Sequence, residues 1–145
     1  MSTNENKELV RRYYEEVVST GDVARLPEFI SPSYVEVHEG KRYEAGLDGA
    51  REHILGVRST YSDFKLRVEQ QIAEGEWVVT RVRASGIHDG VWLGMKPTGR
   101  RVEMTAVNID RVIEGLIVEH GGAANVLEPL LAIGAVTITD PVERD

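Results

Sequence analysis

The order of hydrophobic periodicities predicts an α+β fold, with helices packed on one face of a curved antiparallel sheet. Three observations predict it. The first sixty residues carry apolar positions at helical spacing on either side of one short strand. Residues 64–120 then run almost entirely as alternating segments broken by turn signals. A short apolar helix follows them. Helices first and a run of strands after is the order of an α+β domain.

The opening helix spans Asn4 to about Thr20. Leu9, Tyr13 and Val17, with Val10, Tyr14 and Val18, recur on one face, and Lys7, Glu8, Arg11, Arg12, Glu15 and Glu16 fill the other. Gly21 suits a left-handed stop. Asp22 is placed to cap a second, short helix ending near Ile30, which Pro32 cannot continue. Tyr34 to Glu39 alternates as a strand, with Tyr34, Glu36 and His38 on one face. Gly40 to Gly46 reads as a loop. Leu47 to about Tyr61 is a third helix, with Ala50, Ile54 and Val57 on its stripe.

Phe64, Leu66, Val68, Gln70 and Ile72 alternate with charged and polar residues, and Glu74-Gly75-Glu76 turns the chain into a strand from Trp77 to Ile87. His88 to Gly99 is a glycine-punctuated connection. Arg100 to Ile113 is a third strand of this set, Glu114-Gly115 a tight turn, and Leu116 to Gly121 a fourth strand. Val126 to Ile133 closes the fold as a helix with Pro129 in its first turn. One domain over residues 1–145 is expected, with residues 136–145 a mobile tail.

Composition narrows the function. With 17 Lys and Arg against 24 Asp and Glu the net charge is −7, which disfavours nucleic acid. No cysteine is present, so thiolate nucleophiles, thiolate metal sites and disulfides are excluded. No stretch approaches 18 apolar residues and no apolar signal core opens the chain. A cytoplasmic protein without membrane contact is expected. There is no Walker loop, dinucleotide-binding glycine pattern, His-Glu-x-x-His or Gly-x-Ser-x-Gly, and the histidines lack paired spacing, so no metal is expected.

What remains is polar residues on apolar strands. His38 is either a water-exposed edge residue or a group at the mouth of a cavity. His88 follows a strand end, where turn residues and sites both gather. His53, among charged neighbours, reads as solvated. The line Val102, Met104, Ala106 continues into Asn108 and Asp110. Burying those polar groups costs about 1–3 kcal/mol each unless they are bonded. A bulge that turns Val107 and Ile109 inward, or pairing of Asp110 with Arg111 or another base at the sheet edge, would also explain the line. On the last strand Leu116, Val118 and His120 share a face, with Ile117 and Glu119 on the other. Asn125 stands where a helix N-cap belongs, after a run of small residues that leaves room for backbone or ligand.

Several stretches resemble the SnoaL-like polyketide cyclases, which have the nuclear-transport-factor-2-like fold. They are Asn6-Lys7-Glu8-Leu9-Val10-Arg11-Arg12-Tyr13-Tyr14, Ser85-Gly86-Ile87-His88-Asp89-Gly90, Lys96-Pro97-Thr98-Gly99-Arg100 and Asp110 through Gly115 to Glu119-His120, with Leu130-Leu131-Ala132-Ile133-Gly134 closing. The resemblance implies a cone-shaped α+β barrel around an apolar pocket, commonly a homodimer. It implies cyclisation or isomerisation of an apolar, carbonyl-bearing, polyketide-like small molecule, without metal or cofactor. A non-catalytic binding or dimerisation module and a cofactor-free hydroxylase are the alternatives. Cyclases of the family usually carry Trp and then a proton-transferring Asp after Glu-His. This chain has Gly121 and Asn125 there. An amide cannot exchange a proton at neutral pH, so His120 is the first choice for that task and Asp110 the second. Asn108 and Asn125 are expected to hold an enolate, and Tyr13 or Tyr14 and Trp92, with His38 and His88, to line the pocket.

Overall fold

The computed structural model describes residues 1–143, so the expected tail over 136–145 lies partly outside the described residues. Helix α1 (Thr3–Arg12) is capped by the Ser2 hydroxyl, which accepts from the Glu5 amide. It runs on as one π-helical stretch, Tyr13–Val18. That wider turn sets Tyr13, Tyr14 and Val17 all into the core, and Gly21 ends the run at φ 78°. A 3₁₀ turn follows at Val23–Glu28, and Asp22 makes no side-chain cap to it, contrary to the sequence reading.

Six strands form one sheet: β1 (Ile30–His38), β2 (Lys41–Glu44), β3 (Tyr61–Glu74), β4 (Trp77–His88), β5 (Arg101–Ile113) and β6 (Leu116–Ala124). Their order is β2-β1-β6-β5-β4-β3. Neighbours are antiparallel except β1 and β6, which run parallel. The sheet curves but does not close, so the barrel of the expectation is an open, α+β cone with β2 and β3 at its edges. Strand β2 replaces the expected Gly40–Gly46 loop. Its four residues are all exposed, so it carries no alternating apolar signal.

Helix α2 (Gly46–Thr60) buries Ala50 and Ile54 against β1. Helix α3 (Leu127–Ala132) leads to Ile133, which packs with Tyr61, Phe64 and Val102. The main core gathers Val10, Tyr13, Tyr14, Val17, Phe29 and Ile30 with Val78, Val82, Val112 and Ile117 of the sheet.

Two bulges change the expected faces. In β3 the register against β4 shifts between Val68 and Gln70. Gln71 and Ala73 then turn inward, and Ile72 is left exposed. In β6 the register against β5 shifts so that Arg111 pairs with Glu119 but Val112 with Ile117. Val118 is the extra residue. Ile117 and His120 therefore share the inner face, which simple alternation assigned to opposite faces. Strand β5 has no such shift along its inner line. Val102, Met104, Ala106, Asn108 and Asp110 all face inward, while Val107 and Ile109 are exposed.

The two resemblance motifs around His88 form one structural unit. The His88 ring is wholly buried, and its Nδ1 lies 3.0 Å from the Thr98 hydroxyl. The His88 amide donates to Arg100 and the Gly99 amide to His88, at 2.9 and 2.8 Å. Thr98→Val is expected to strand a buried ring nitrogen and to cost about 1–3 kcal/mol, read as a lower midpoint in urea unfolding. An unchanged midpoint would remove this account of the Pro97-Thr98-Gly99 turn.

Candidate functional site

The inner face of β5 carries Asp110 opposite His120 of β6, as direct cross-strand partners. Asp110 is completely buried. A carboxylate there needs bonded partners, because an unpaired buried charge is too costly to keep. It has two. Tyr14, 2% exposed, donates its hydroxyl to Oδ2. His120 Nδ1 donates to Oδ1 at 2.7 Å. The π-helical stretch is what carries Tyr14 to this carboxylate. Of the two simpler explanations for the polar line on β5, the bulge is not found, and Asp110 does pair with a base, but the base is His120 and not Arg111. Arg111 instead bonds Glu76 at 2.7 Å.

The bond to Asp110 fixes the His120 tautomer with hydrogen on Nδ1. Nε2 makes no hydrogen bond among the described residues, and the side chain is 20% exposed. Burial is the largest single influence on this ring and disfavours its charged form. The charge and hydrogen bond of Asp110, with Glu36 beside them, outweigh it, so His120 titrates above its ordinary value. Burial and then the Asp110 charge push the Tyr14 hydroxyl well above its usual range, so it stays protonated and donates.

His120 opens onto a cleft of about 430 Å3 lined by Glu36, His38, His53, Asn108 and the small residues Gly121 to Ala124. Glycine at 122 is a steric requirement. A Cβ there would lie 2.7 Å from Asn108 Oδ1 and 3.0 Å from its Cα, and it would strike the Val107 carbonyl. Asn108 faces the cleft, and its amide makes no hydrogen bond among the described residues. A second, mostly apolar depression of about 470 Å3 adjoins at His53, lined by Val57, Tyr61, Phe64, Trp92 and Met104. Met104, Ala106 and Asn108 are successive inward positions of β5, so the two depressions run along one strand face.

Glu36 of β1 is the register partner of His120 on the neighbouring parallel strand. Its Oε1 accepts from the Tyr34 hydroxyl at 3.3 Å and lies 3.2 Å from His53 Nδ1. The bond to His53 is the main reason that Glu36 sits below the ordinary carboxylate range, against the opposing effect of burial. His53 is solvated, as the sequence reading has it, with its side chain 55% exposed, and it also reaches Glu36.

The structure brings His120, Asp110 and Asn108 together, with His38 at the cleft mouth. Tyr14 lies behind the site as a partner of Asp110, not as a wall of the cleft. Trp92 lines the adjoining depression, edge-on to Tyr61 at 5.5 Å. His88 is sealed behind Trp92 and does not line the cleft. Asn125 is exposed just before α3, whose N-cap position is Val126 and not Asn125 as expected. Its Oδ1 accepts from the Glu128 amide at 3.4 Å and its amide donates to the Glu128 carboxylate at 3.1 Å. It lies apart from the Asp110–His120 pair, so an enolate-holding role for Asn125 has no geometry here. Glu36 and His53 are the residues that sequence reasoning missed. Their one signal was the position of Glu36 between Tyr34 and His38 on an inward face.

The open α+β cone, with a cleft on the inner face of its sheet, is the nuclear-transport-factor-2-like fold. Within it, the family profile of the SnoaL-like polyketide cyclases matches residues 8–133, and the chain belongs to that family. It is 33% identical over 110 residues to nogalonic acid methyl ester cyclase of Streptomyces nogalater, across 70% of this chain and 78% of that one. Among solved structures it is similar to AclR of Streptomyces galilaeus, a candidate hydroxylase. That match has 25% identity and a TM-score of 0.81, over 94% of this chain and all (100%) of the other. It is also similar to IdmH of Streptomyces antibioticus, a candidate polyketide cyclase. Here identity is 28% and the TM-score 0.74, over 90% of this chain and 99% of that one. Among the described residues no helix is long and apolar enough to cross a membrane.

Proposed function

We propose that the protein is an acid/base enzyme that cyclises or isomerises an apolar, carbonyl-bearing, polyketide-like molecule through an enol, using its own side chains. The observation that carries this reading is the buried Asp110 on His120 Nδ1, with Nε2 left free in a cleft. A histidine oriented by a carboxylate that also raises its pKa is suited, in its protonated form, to move a proton at a carbonyl oxygen. Nε2–H donates to that oxygen as the enol forms and takes the proton back afterwards. Asn108 supplies a second hydrogen bond to the same oxygen. The apolar depression beside His53 accepts the rest of a flat substrate against Trp92, Tyr61 and Phe64. Self-association through the exposed Val107 and Ile109 on the outer sheet face belongs to the same reading.

The test is incubation with nogalonic acid methyl ester, in chelator-treated buffer, followed by chromatography and an oxygen electrode. Ring closure without oxygen uptake is the expected result. Oxygen uptake coupled to product would favour the hydroxylase reading suggested by the likeness to AclR. Tight binding with no conversion would favour a binding module and contradict the enzyme.

A further inference from the structure

We propose that Glu36 is a second catalytic group, the base that takes the carbon-bound proton while His120 serves the carbonyl oxygen. This deepens the acid/base reading above and rests on it. Glu36 and His120 are register partners on adjacent parallel strands, which places their backbones about 5 Å apart. Both line the cleft. The two bonds to Glu36, from Tyr34 and His53, fall on Oε1. Oε2 makes no hydrogen bond among the described residues. The groups facing Glu36 are His53 from α2, His120 from β6 with Asp110 behind it, and the buried Tyr13 and Tyr34 hydroxyls. His53 holds the carboxylate ionised and His120 is held toward its protonated form. Two titratable groups pushed in these opposite senses are a base and an acid side by side.

The step balances without an oxidant or other co-reactant. Glu36 takes the proton from the carbon next to the carbonyl, and the C–H electron pair becomes the enol double bond. The carbonyl π pair takes the proton from His120 Nε2. In ring closure the enol carbon then bonds to a second carbonyl carbon of the same molecule. The enol proton returns to His120 as the first carbonyl re-forms, and the proton on Glu36 goes to the new alkoxide. Both groups end as they began, and the product is an isomer of the substrate. Without a second carbonyl in reach, proton return to a different carbon gives an isomerisation.

The experiment follows deuterium uptake into nogalonic acid methyl ester in D2O by mass spectrometry, with wild type, Glu36→Gln and His53→Gln. Glu36→Gln is expected to lower exchange at least a hundredfold while the His120 ring proton signal, read by NMR, stays in its folded position. His53→Gln is expected to move the acidic limb of the exchange rate to higher pH, because the bond that lowers the Glu36 pKa is lost. Exchange in Glu36→Gln within threefold of wild type overturns the role of Glu36 and leaves the His120 reading standing. Wild type that exchanges no faster than buffer overturns both. Where Glu36→Gln does not fold, the His53→Gln profile decides, and an unmoved limb overturns the proposal.

Discussion

His120→Gln is expected to lower kcat on a turned-over substrate by about 10²–10⁴-fold, the usual contribution of a positioned acid/base group. Gln is the informative replacement. Its amide can still donate to Asp110, so the buried carboxylate keeps a partner, but it has no proton to release. The ring is one-fifth exposed and lines the cleft, so its loss creates no large core cavity. KM is expected to change little, because the bond to the carbonyl oxygen strengthens only as charge develops there. Steady-state kinetics beside a circular dichroism spectrum measures this. Retained kcat in a folded variant would remove His120 from the chemistry.

Asp110→Asn is the second large effect, and its sign depends on pH. The carboxylate raises the folded-state pKa of His120 above its value of about 6.5 in an unfolded chain. The protonated ring thus adds stability that is present in full below the unfolded value. It is lost as pH rises through the raised folded value. Removing the charge should therefore destabilise the protein more at pH 5.5 than at pH 8.5, in urea unfolding at the two pH values. The rate should fall too, by about a hundredfold or more near neutral pH, since less of the ring is protonated and its tautomer is no longer fixed. The alkaline limb of the surviving activity should move to lower pH. Equal destabilisation at both pH values with an unmoved limb would mean that Asp110 only fills space.

The sequence showed the polar half of this site more plainly than its geometry. Asn108 and Asp110 could be read because they interrupt an apolar line at strict period two, and β5 keeps that period. His120 stands out for its chemistry, but its inward face depends on the bulge at Val118. A single extra residue reverses every following face, and nothing in Leu116-Ile117-Val118 marks where it falls. Gln71 turned inward for the same reason, after the shift beyond Val68. Tyr14 reads as a pocket wall because an aromatic ring can stack on a planar substrate. Its bond to Asp110 spans 96 positions and leaves no local trace. Glu36 and His53 are 17 residues apart on different elements, and only folding makes them a pair. Asn125 went the other way, since its bonds are the local ones to Glu128 in the first turn of α3.

The account turns on Asp110 holding the His120 ring and raising its pKa. The direct measurement is an NMR titration of the His120 ring proton in wild type and in Asp110→Asn. The expected midpoint lies above 6.5 in the wild type and falls in the variant. A midpoint at or below 6.5, or one indifferent to the loss of Asp110, would contradict the account.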